Sequence, residues 1–279
     1  MTTLALTKHH GLGNDFLVAF ADRLPAVRPW EDLARAACDR RHGIGADGLL
    51  VATPLDGTGQ AARADAAVVG MRLYNADGSE AEMSGNGIRC LVQAWARRAG
   101  REAGEVVVST VAGPRTVGFG PGLDRHSMVA TVDMGPITPI DAPAGWPDVG
   151  AHAGRPVAHV GVGNPHTVVA VDDVAAVDLA LIGRQVPSVN LEIVESGPEP
   201  DAVTMRVHER GAGITEACGT GACAAAWAAE AWGLARPSNG IITVHMDGGD
   251  ARVRLDDPAP GRVTLIGPAT FVGSIEVEL

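Results

Sequence analysis

A long motif occurs twice in this chain of 279 residues, half a chain apart and without a gap. Residues 71–90 read MRLYNADGSEAEMSGNGIRC, and residues 205–224, offset by 134 (205 against 71), read MRVHERGAGITEACGTGACA. Each copy places a glycine-rich turn before an apolar helical stretch, which predicts two similar α/β units. At the same offset Ser84 falls on Cys218. The identical pairs are Met71 and Met205, Arg72 and Arg206, Glu82 and Glu216, Gly85 and Gly219, and Gly87 and Gly221.

A second, shorter repeat supports the duplication. The tetrapeptide GLGN at 11–14 returns as GVGN at 161–164, each between two apolar stretches typical of a strand–turn–strand unit. The GxGN turn precedes the helix-opening motif in both halves. We therefore predict two similar α+β lobes with a cleft between them.

The apolar patterns predict the elements of each half. Helices are expected over 30–41, 88–99 and 222–232, the last two ending at Gly100 and Gly233 as C-cap residues. Strands are expected over 48–54, 64–74, 105–110 and 116–119, and a Pro/Ala/Gly connection over 139–147. Residues 43–48 read GIGADG and fit GxGxxG, but a predicted helix precedes them and a strand follows, so they predict a turn and no nucleotide site.

Composition excludes several classes of function. The net charge of -11 argues against nucleic-acid binding, which needs a basic face. The sequence shows no signal peptide and no apolar run of about 18 residues, so we expect no membrane partner. Four cysteines without CxxC or zinc spacing, and His9 and His10 without ligand partners, predict free thiols, a cytoplasmic location and no metal site.

Cys218 is the first candidate catalytic residue. It precedes Gly219 and the predicted helix, where free amides and the helix dipole favour a thiolate. Cysteines at such positions have pKa values of about 3.5 to 7.5, against roughly 8.5 unperturbed, so we expect a lowered pKa. The same amides favour a bound carboxylate. The alternative interpretation is a small buried cysteine without a chemical role.

Ser84 occupies the equivalent position in the first copy. Two helix N-termini of this kind suit a clamp on one α-carboxylate, with its Cα between positions 84 and 218. Inversion at that carbon needs a base on one face and an acid on the other. A hydroxyl is a much weaker acid than a thiol, so Ser84 is an unequal partner, and its alternative interpretation is an N-cap. His166 and Glu209 are candidates for tuning both groups, or ordinary hydrogen-bonding residues.

At these motifs the whole sequence resembles the diaminopimelate epimerase family, amino acid epimerases that use no pyridoxal phosphate. The resemblance rests on HGLGNDF (10–16), RHGIGADGLL (41–50), YNADGSEAEMSGNGIRC (74–90), GNPH (163–166), ERGAGITEACGTGACA (209–224) and GPAT (267–270). It implies an α+β fold of two pseudo-symmetric lobes, each a mixed sheet around a central helix, with the active site in the inter-lobe cleft. It implies a first lobe of 1–133 with 267–279, a second of 134–266, a small amino acid substrate and no cofactor.

The resemblance also implies roles for individual residues. Cys218 and Ser84 stand at the two proton-transfer positions, and His166 and Glu209 at the positions that adjust their acidity. The α-carboxylate would be held by Gly85, Asn86, Gly219 and Thr220. The distal amino acid group of the substrate would be held by Asn14, Asn75, Asn164, Asn190, Glu209 and Arg210.

Three residues depart from the family pattern. Gly48 replaces a pocket glutamine, Ser84 a catalytic cysteine, and Gly273 an aromatic residue that supports the family's homodimer. The expected activity is epimerisation of LL-2,6-diaminoheptanedioate (LL-diaminopimelate) to the meso form. The alternatives are a racemase, epimerase or dehydratase for another amino acid, or a weakened Cys-to-Ser variant, natural or engineered, that binds substrate.

Overall fold

The computed structural model describes residues 3–23, 29–55, 67–146 and 154–278. These residues form two compact units, one within 1–132 and 267–279 and the other within 133–266. Within the described residues, no helix is both long and apolar enough to cross a bilayer.

The first unit is a mixed sheet with one long helix. Its helices are α1 (Trp30–Cys38) and α2 (Gly85–Ala99). Its strands are β1 (Thr3–Gly11), β2 (Asn14–Phe20), β3 (Gly48–Leu55), β4 (Ala67–Asn75), β5 (Glu80–Ala81), β6 (Gly104–Thr110), β7 (Gly113–Pro121) and β8 (Ser127–Pro136), whose residues from 133 onward belong to the second unit. Parallel pairs join β2 to β3 and β4 to β6, whereas β3 and β4 are antiparallel.

The second unit repeats this order of pairings. Its helices are α3 (Leu179–Gly183) and α4 (Gly219–Trp232). Its strands are β9 (Thr138–Pro139), β10 (Val157–Gly161), β11 (Pro165–Ala170), β12 (Asn190–Ser196), β13 (Ala202–Glu209), β14 (Gly213–Thr215), β15 (Ile241–Met246), β16 (Gly249–Leu255) and β17 (Arg262–Glu278), whose residues from 267 onward belong to the first unit. Parallel pairs join β11 to β12 and β13 to β15, and β12 and β13 are antiparallel.

A long helix forms the centre of each unit. Helix α2 packs against β1, β2, β3, β4 and β7, and α4 against β10, β11, β12, β13, β15 and β16. The first two turns of both helices are buried on every side, as in a core helix. Alanine makes up half of α4, and its small side chain allows the surrounding strands to approach the helix closely. The predicted fold class of mixed sheets around central helices is confirmed.

Both long helices end where the sequence predicts. Gly100 and Gly233 have φ values of 65° and 72°, and each donates its N–H to carbonyls of the last turn. These left-handed C-caps favour glycine because a Cβ is strained there. The predicted GxGN turns are confirmed between β1 and β2 and between β10 and β11.

Several predicted boundaries were wrong. Helices α2 and α4 begin three residues earlier than predicted, at Gly85 and Gly219, because a side-chain cap compensates for glycine in the first turn. Helix α1 ends at Cys38 instead of residue 41, because the Asp39 carboxylate accepts the N–H groups of the two residues that follow Arg40. The strand predicted over 64–74 runs over Ala67–Asn75, and 64–66 lie outside the described residues.

The connection predicted over 139–147 starts inside a short strand. Thr138–Pro139 pairs with β10, and Pro147 lies outside the described residues. The GIGADG segment is a turn between α1 and β3, as predicted, so the context of a dinucleotide fingerprint is absent from this part of the described chain.

Candidate active site

Ser84 and Cys218 are the N-cap residues of the two long helices, with closely similar backbone angles. Ser84 has φ −141° and ψ 123°, and its Oγ accepts the Gly87 N–H at 3.0 Å. Cys218 has φ −128° and ψ 114°, and its Sγ accepts the Gly221 N–H at 3.4 Å. The duplicated sequence therefore places a hydroxyl and a thiol in the same position of two equivalent turns. Ser84 and Cys218 are both N-caps, so the N-cap role alone does not distinguish them.

In the first unit, two of the residues predicted to bind substrate, Asn14 and Asn86, meet at the start of α2. The Asn86 amide donates to the Asn14 Oδ1 at 3.2 Å, so this pair is brought together. Asn14 in turn donates to the Asp47 carboxylate at 2.7 Å. Asn75 is exposed at the end of β4 and donates to the Ser79 hydroxyl at 3.0 Å.

The orientation of Asn86 depends on a residue that the sequence did not reveal. Arg89 is fully buried, and its Nη2 donates to the Asn86 Oδ1 at 2.8 Å. Its Nε donates to the Pro268 carbonyl at 3.1 Å. Arg89 thus fixes the amide that contacts Asn14.

In the second unit, a carboxylate and two hydroxyl groups lie around Cys218. Glu209 is hydrogen-bonded to the Cys218 thiol, and it accepts the Thr215 hydroxyl at 2.5 Å. The Thr220 hydroxyl lies 3.4 Å from the Cys218 sulfur. Gly219 is buried beside Thr220 in the first turn of α4. Cys218, Glu209 and Thr220 are therefore brought together by the structure, and Thr215 joins them without having been predicted.

The distal-group candidates of the second unit form a neighbouring set. The Asn190 Oδ1 accepts the Arg210 backbone N–H at 2.8 Å, and its Nδ2 donates to the Pro165 carbonyl at 3.3 Å. Arg210 is exposed. Asn164 is the last residue of the GxGN turn, and its Oδ1 lies 2.8 Å from the His166 Nε2.

His166 is completely buried and contacts a carboxylate that the sequence analysis missed. The Nδ1 of His166 lies 2.7 Å from the Glu192 Oε1, and neither side chain is exposed. The available signal was a single carboxylate inside the apolar stretch LEIV of β12. Strands of alternating exposure commonly carry such residues on their solvent face, so the stretch alone did not single it out.

The predicted low pKa of Cys218 was wrong. Burial, followed by the negative charges of Glu209 and Glu192, raises the pKa of the Cys218 thiol well above its ordinary value. The hydrogen bonds from Thr220 and Gly221 act in the opposite direction but are smaller. Burial and the Glu192 charge also raise the pKa of Glu209. Burial, together with two nearby carboxylates, thus outweighs the helix N-terminus, and Cys218 is a thiol, a proton donor, in this state.

Alkylation should reveal this protonation state directly. Iodoacetamide reacts with the thiolate and not with the thiol. Because the pKa of Cys218 is raised, the pH midpoint of its alkylation should lie on the alkaline side of the midpoint of an ordinary thiol. Glu209→Gln removes the nearer negative charge and should move that midpoint to lower pH. Peptide-resolved mass spectrometry across a pH series measures both midpoints. A wild-type midpoint at or below neutrality would contradict the structure.

Glycine at 221 is required by the Glu192 carboxylate. A Cβ at Gly221 would lie 2.6 Å from the Glu192 Oε1, whereas a Cβ at Gly87 would meet the Leu50 Cδ2 at 3.3 Å and the Ser84 Cβ at 3.1 Å. Glu192 has little room to move, because it is buried and hydrogen-bonded to His166.

Alanine substitution at the two glycines should therefore have unequal effects. Gly221→Ala should lower the free energy of unfolding by about 1–3 kcal/mol, the usual cost of overpacking. Gly87→Ala should cost less, because its nearest contacts are looser. The helix-propensity gain of about 1 kcal/mol from alanine applies to both variants and does not alter their difference. Urea denaturation of both variants measures the difference, and equal losses would contradict the constraint.

Comparison with known proteins decides the family. A profile of diaminopimelate epimerase matches residues 6–139 and 158–272. The chain belongs to the diaminopimelate epimerase family. It is 39% identical over 296 residues to the diaminopimelate epimerase of Thermosynechococcus vestitus, with 98% of each chain covered. It is 36% identical over 283 residues to the diaminopimelate epimerase of Bacteroides thetaiotaomicron, with 99% of each covered.

Solved structures of lower identity share the fold of this family. A hydroxyproline epimerase from Agrobacterium vitis, with trans-4-hydroxy-L-proline bound, superposes with a TM-score of 0.71 at 15% identity, covering 100% of this chain and 93% of that one. A PhzF-family phenazine biosynthesis protein from Bacillus anthracis has a TM-score of 0.72 at 14% identity, with both chains fully covered.

Proposed function

We propose that this protein interconverts LL- and meso-diaminopimelate by removing and returning the proton at one Cα without a cofactor. Membership of the family supports the substrate and reaction class. The observation that carries the mechanism is the pair of equivalent helix starts, each with a proton-carrying side chain at its N-cap. Inversion requires that these two groups meet the same Cα from opposite faces.

The α-carboxylate of the substrate is assigned to the first amides of α2 and α4. The helix starts leave N–H groups that point at an anion and carry the positive end of the helix dipole. Gly85 and Asn86 supply them in the first unit, and Gly219 and Thr220 in the second. Asn14, Asn75, Asn164, Asn190 and Arg210 are assigned to the distal amino acid group, for which the planar fork of Arg210 suits a carboxylate.

Substrate binding would then change the acidity of Cys218. Its pKa is raised by burial and by two carboxylates, and an ammonium group placed nearby opposes that effect. The thiol donates a proton in one direction of the reaction, and the thiolate formed beside bound substrate accepts one in the other. His166 and Glu209 adjust this exchange.

Ser84 would serve the opposite face more slowly. A hydroxyl is a far weaker acid than a thiol, and each unit of pKa mismatch costs about 1.4 kcal/mol. The equivalents of His166 and Glu209 in the first unit are Phe16 and Asn75, so no ionisable side chain replaces them there. Proton transfer at the Ser84 face should therefore limit the rate.

Elimination of water from a β-hydroxy amino acid is the second candidate function. It is favoured by this same asymmetry, because elimination needs only one competent carbon acid/base. The assay is incubation of the protein with LL-diaminopimelate and separately with β-hydroxy amino acids, followed by chiral chromatography and ammonia detection. Formation of meso-diaminopimelate supports epimerisation. A keto acid with ammonia supports elimination, and tight binding without conversion supports a binding protein.

The proposed activity also suggests where the protein works: we assign it to the cytoplasm, where amino acid precursors are made. We assign it a homodimeric state because the family resemblance implies one. A larger side chain would fit at position 273, since a Cβ added to Gly273 meets nothing within 4 Å.

A further inference from the structure

Glu192 is a buried carboxylate that raises the pKa of the Cys218 thiol but has no assigned contact with the substrate. It lies on β12 and is completely shielded from solvent. Its Oε1 contacts the His166 Nδ1 at 2.7 Å, and in the part of the chain that the structure describes its buried Oε2 has no hydrogen-bond partner. Burying a carboxylate costs several kcal/mol unless its partners compensate. A residue kept at this cost points to a role beyond packing.

The position of the first unit that corresponds to Glu192 contains an apolar residue. Strands β2 and β3 pair with Phe16 opposite Gly48, and β11 and β12 pair with His166 opposite Asn190. Two residues further along each second strand, Leu50 corresponds to Glu192. Added Cβ atoms at the equivalent glycines 87 and 221 meet Leu50 and Glu192 respectively, which confirms the correspondence. An apolar pair in one unit is therefore an ionisable pair in the other.

The His166–Glu192 pair controls one end of the Asn164 amide. The Nε2 of His166 lies 2.8 Å from the Asn164 Oδ1, and an amide oxygen only accepts, so Nε2 carries a proton. The Glu192 contact at Nδ1 holds the ring in the plane that makes this bond. The amide nitrogen of Asn164 is thereby directed away from His166.

The equivalent asparagine of the first unit has both ends of its amide occupied by protein groups. In the first unit Asn14 gives its amide nitrogen to Asp47 at 2.7 Å, while its oxygen accepts from Asn86 at 3.2 Å. Phe16, the counterpart of His166, has no group that could hold an amide oxygen. Only in the second unit does the GxGN asparagine have its oxygen bound to a histidine and its two N–H donors directed elsewhere.

We propose that Glu192 is a positioning residue that orients Asn164, through His166, so that the Asn164 amide N–H groups meet an oxygen of the substrate's distal carboxylate. The inference rests on the proposed function for the identity of the substrate. The chain of contacts from Glu192 to His166 to Asn164 does not depend on it.

Two substitutions at Glu192 separate orientation from charge. Glu192→Gln keeps a hydrogen-bonding group beside His166 and removes the charge, while Glu192→Leu installs the residue found at position 50. We expect Glu192→Leu to raise the KM for LL-diaminopimelate about tenfold, as for loss of one hydrogen bond to a charged group. Glu192→Gln should keep KM within about threefold of wild type. Glu230→Gln, an exposed change on α4, is the matched control.

Nitrogen-15 NMR of the histidine side chains supplies the readout that a purely structural role would not move. His166 resonances are assigned by their loss in His166→Gln. Nε2 is expected to carry a proton in wild type and in both variants, because Asn164 accepts it in each, whereas a proton at Nδ1, shared with Glu192, is expected in wild type and is lost in Glu192→Leu. Because the wild-type spectrum alone tests the contact chain, the proposal stays testable if Glu192→Leu does not fold.

The outcomes separate the role of Glu192 from the proposed epimerase function. An active wild type with unchanged KM in folded Glu192→Leu overturns the role of Glu192 and leaves the epimerase function standing. An unprotonated His166 Nε2 in wild type overturns it as well. A wild type that converts no diaminopimelate overturns the proposed function, and the NMR result then decides the contact chain alone.

Discussion

Replacing Cys218 with serine is expected to lower the rate of α-proton exchange by on the order of 10²- to 10⁴-fold, the usual contribution of a positioned acid or base. The substitution is structurally mild, because Ser84 already caps α2 in the same geometry, with its Oγ 3.0 Å from the Gly87 nitrogen. Cys218→Ser therefore gives the second unit the cap of the first and removes only the thiol.

The control for Cys218→Ser is a cysteine outside the proposed machinery. Cys90 is buried in α2 and is also a free thiol. Cys90→Ala should cost some stability and leave the exchange rate near that of wild type. The rate is measured by NMR, and the melting temperature by calorimetry. A Cys218→Ser protein that is folded and within tenfold of the wild-type rate would exclude a proton-transfer role for Cys218.

Replacing Ser84 with cysteine is expected to raise the epimerisation rate by on the order of ten- to a hundredfold. The thiol's pKa of about 8.5 lies much nearer the working pH than that of a hydroxyl, and each unit of mismatch is worth about 1.4 kcal/mol. The larger sulfur fits an N-cap, since Cys218 accepts the Gly221 N–H at 3.4 Å.

Ser84→Ala provides the opposite change at the same position. It removes both the hydroxyl and the N-cap, so it should lower the free energy of unfolding by about 0.5–2 kcal/mol and abolish transfer at that face. Steady-state rates in both directions and urea denaturation measure the two effects separately. An unchanged rate in both the cysteine and the alanine variants would leave Ser84 as a cap and nothing more.

The duplicated motif predicts most of the fold because it encodes local structure. The glycines at 100 and 233, with φ of 65° and 72°, terminate helices through backbone conformation alone, which a sequence displays openly. The helix starts were predicted three residues late, since glycine at 85 and 219 weakens helix propensity. The caps formed by Ser84 and Cys218 compensate for it, and a cysteine cap is not readable from residue preferences.

The electrostatics of the site were not predictable in the same way. The helix dipole at Cys218 is a local property and was anticipated, but it is outweighed by burial and by the charges of Glu209 and Glu192. Glu192 reaches Cys218's helix only because β12 packs against α4, a contact between residues distant in sequence. Asp47, which binds Asn14, was missed for the same reason, and so was the long-range bond from Arg89 to the Pro268 carbonyl. That bond helps to hold Arg89 where it contacts Asn86, three residues away on the same helix. The motifs alone predict the candidate catalytic residues, whereas Glu192, Arg89 and Asp47, which contact or orient the candidates, became visible only in the fold.

The most direct test of the central claim is deuterium incorporation at Cα in deuterated water, starting separately from LL- and from meso-diaminopimelate. The two-face account predicts that the wild-type protein exchanges the α-hydrogen of both stereoisomers and yields product deuterated at the inverted centre, with Ser84→Cys faster and Cys218→Ser nearly inactive. Exchange from one stereoisomer only, or inversion that retains the original hydrogen, would contradict it.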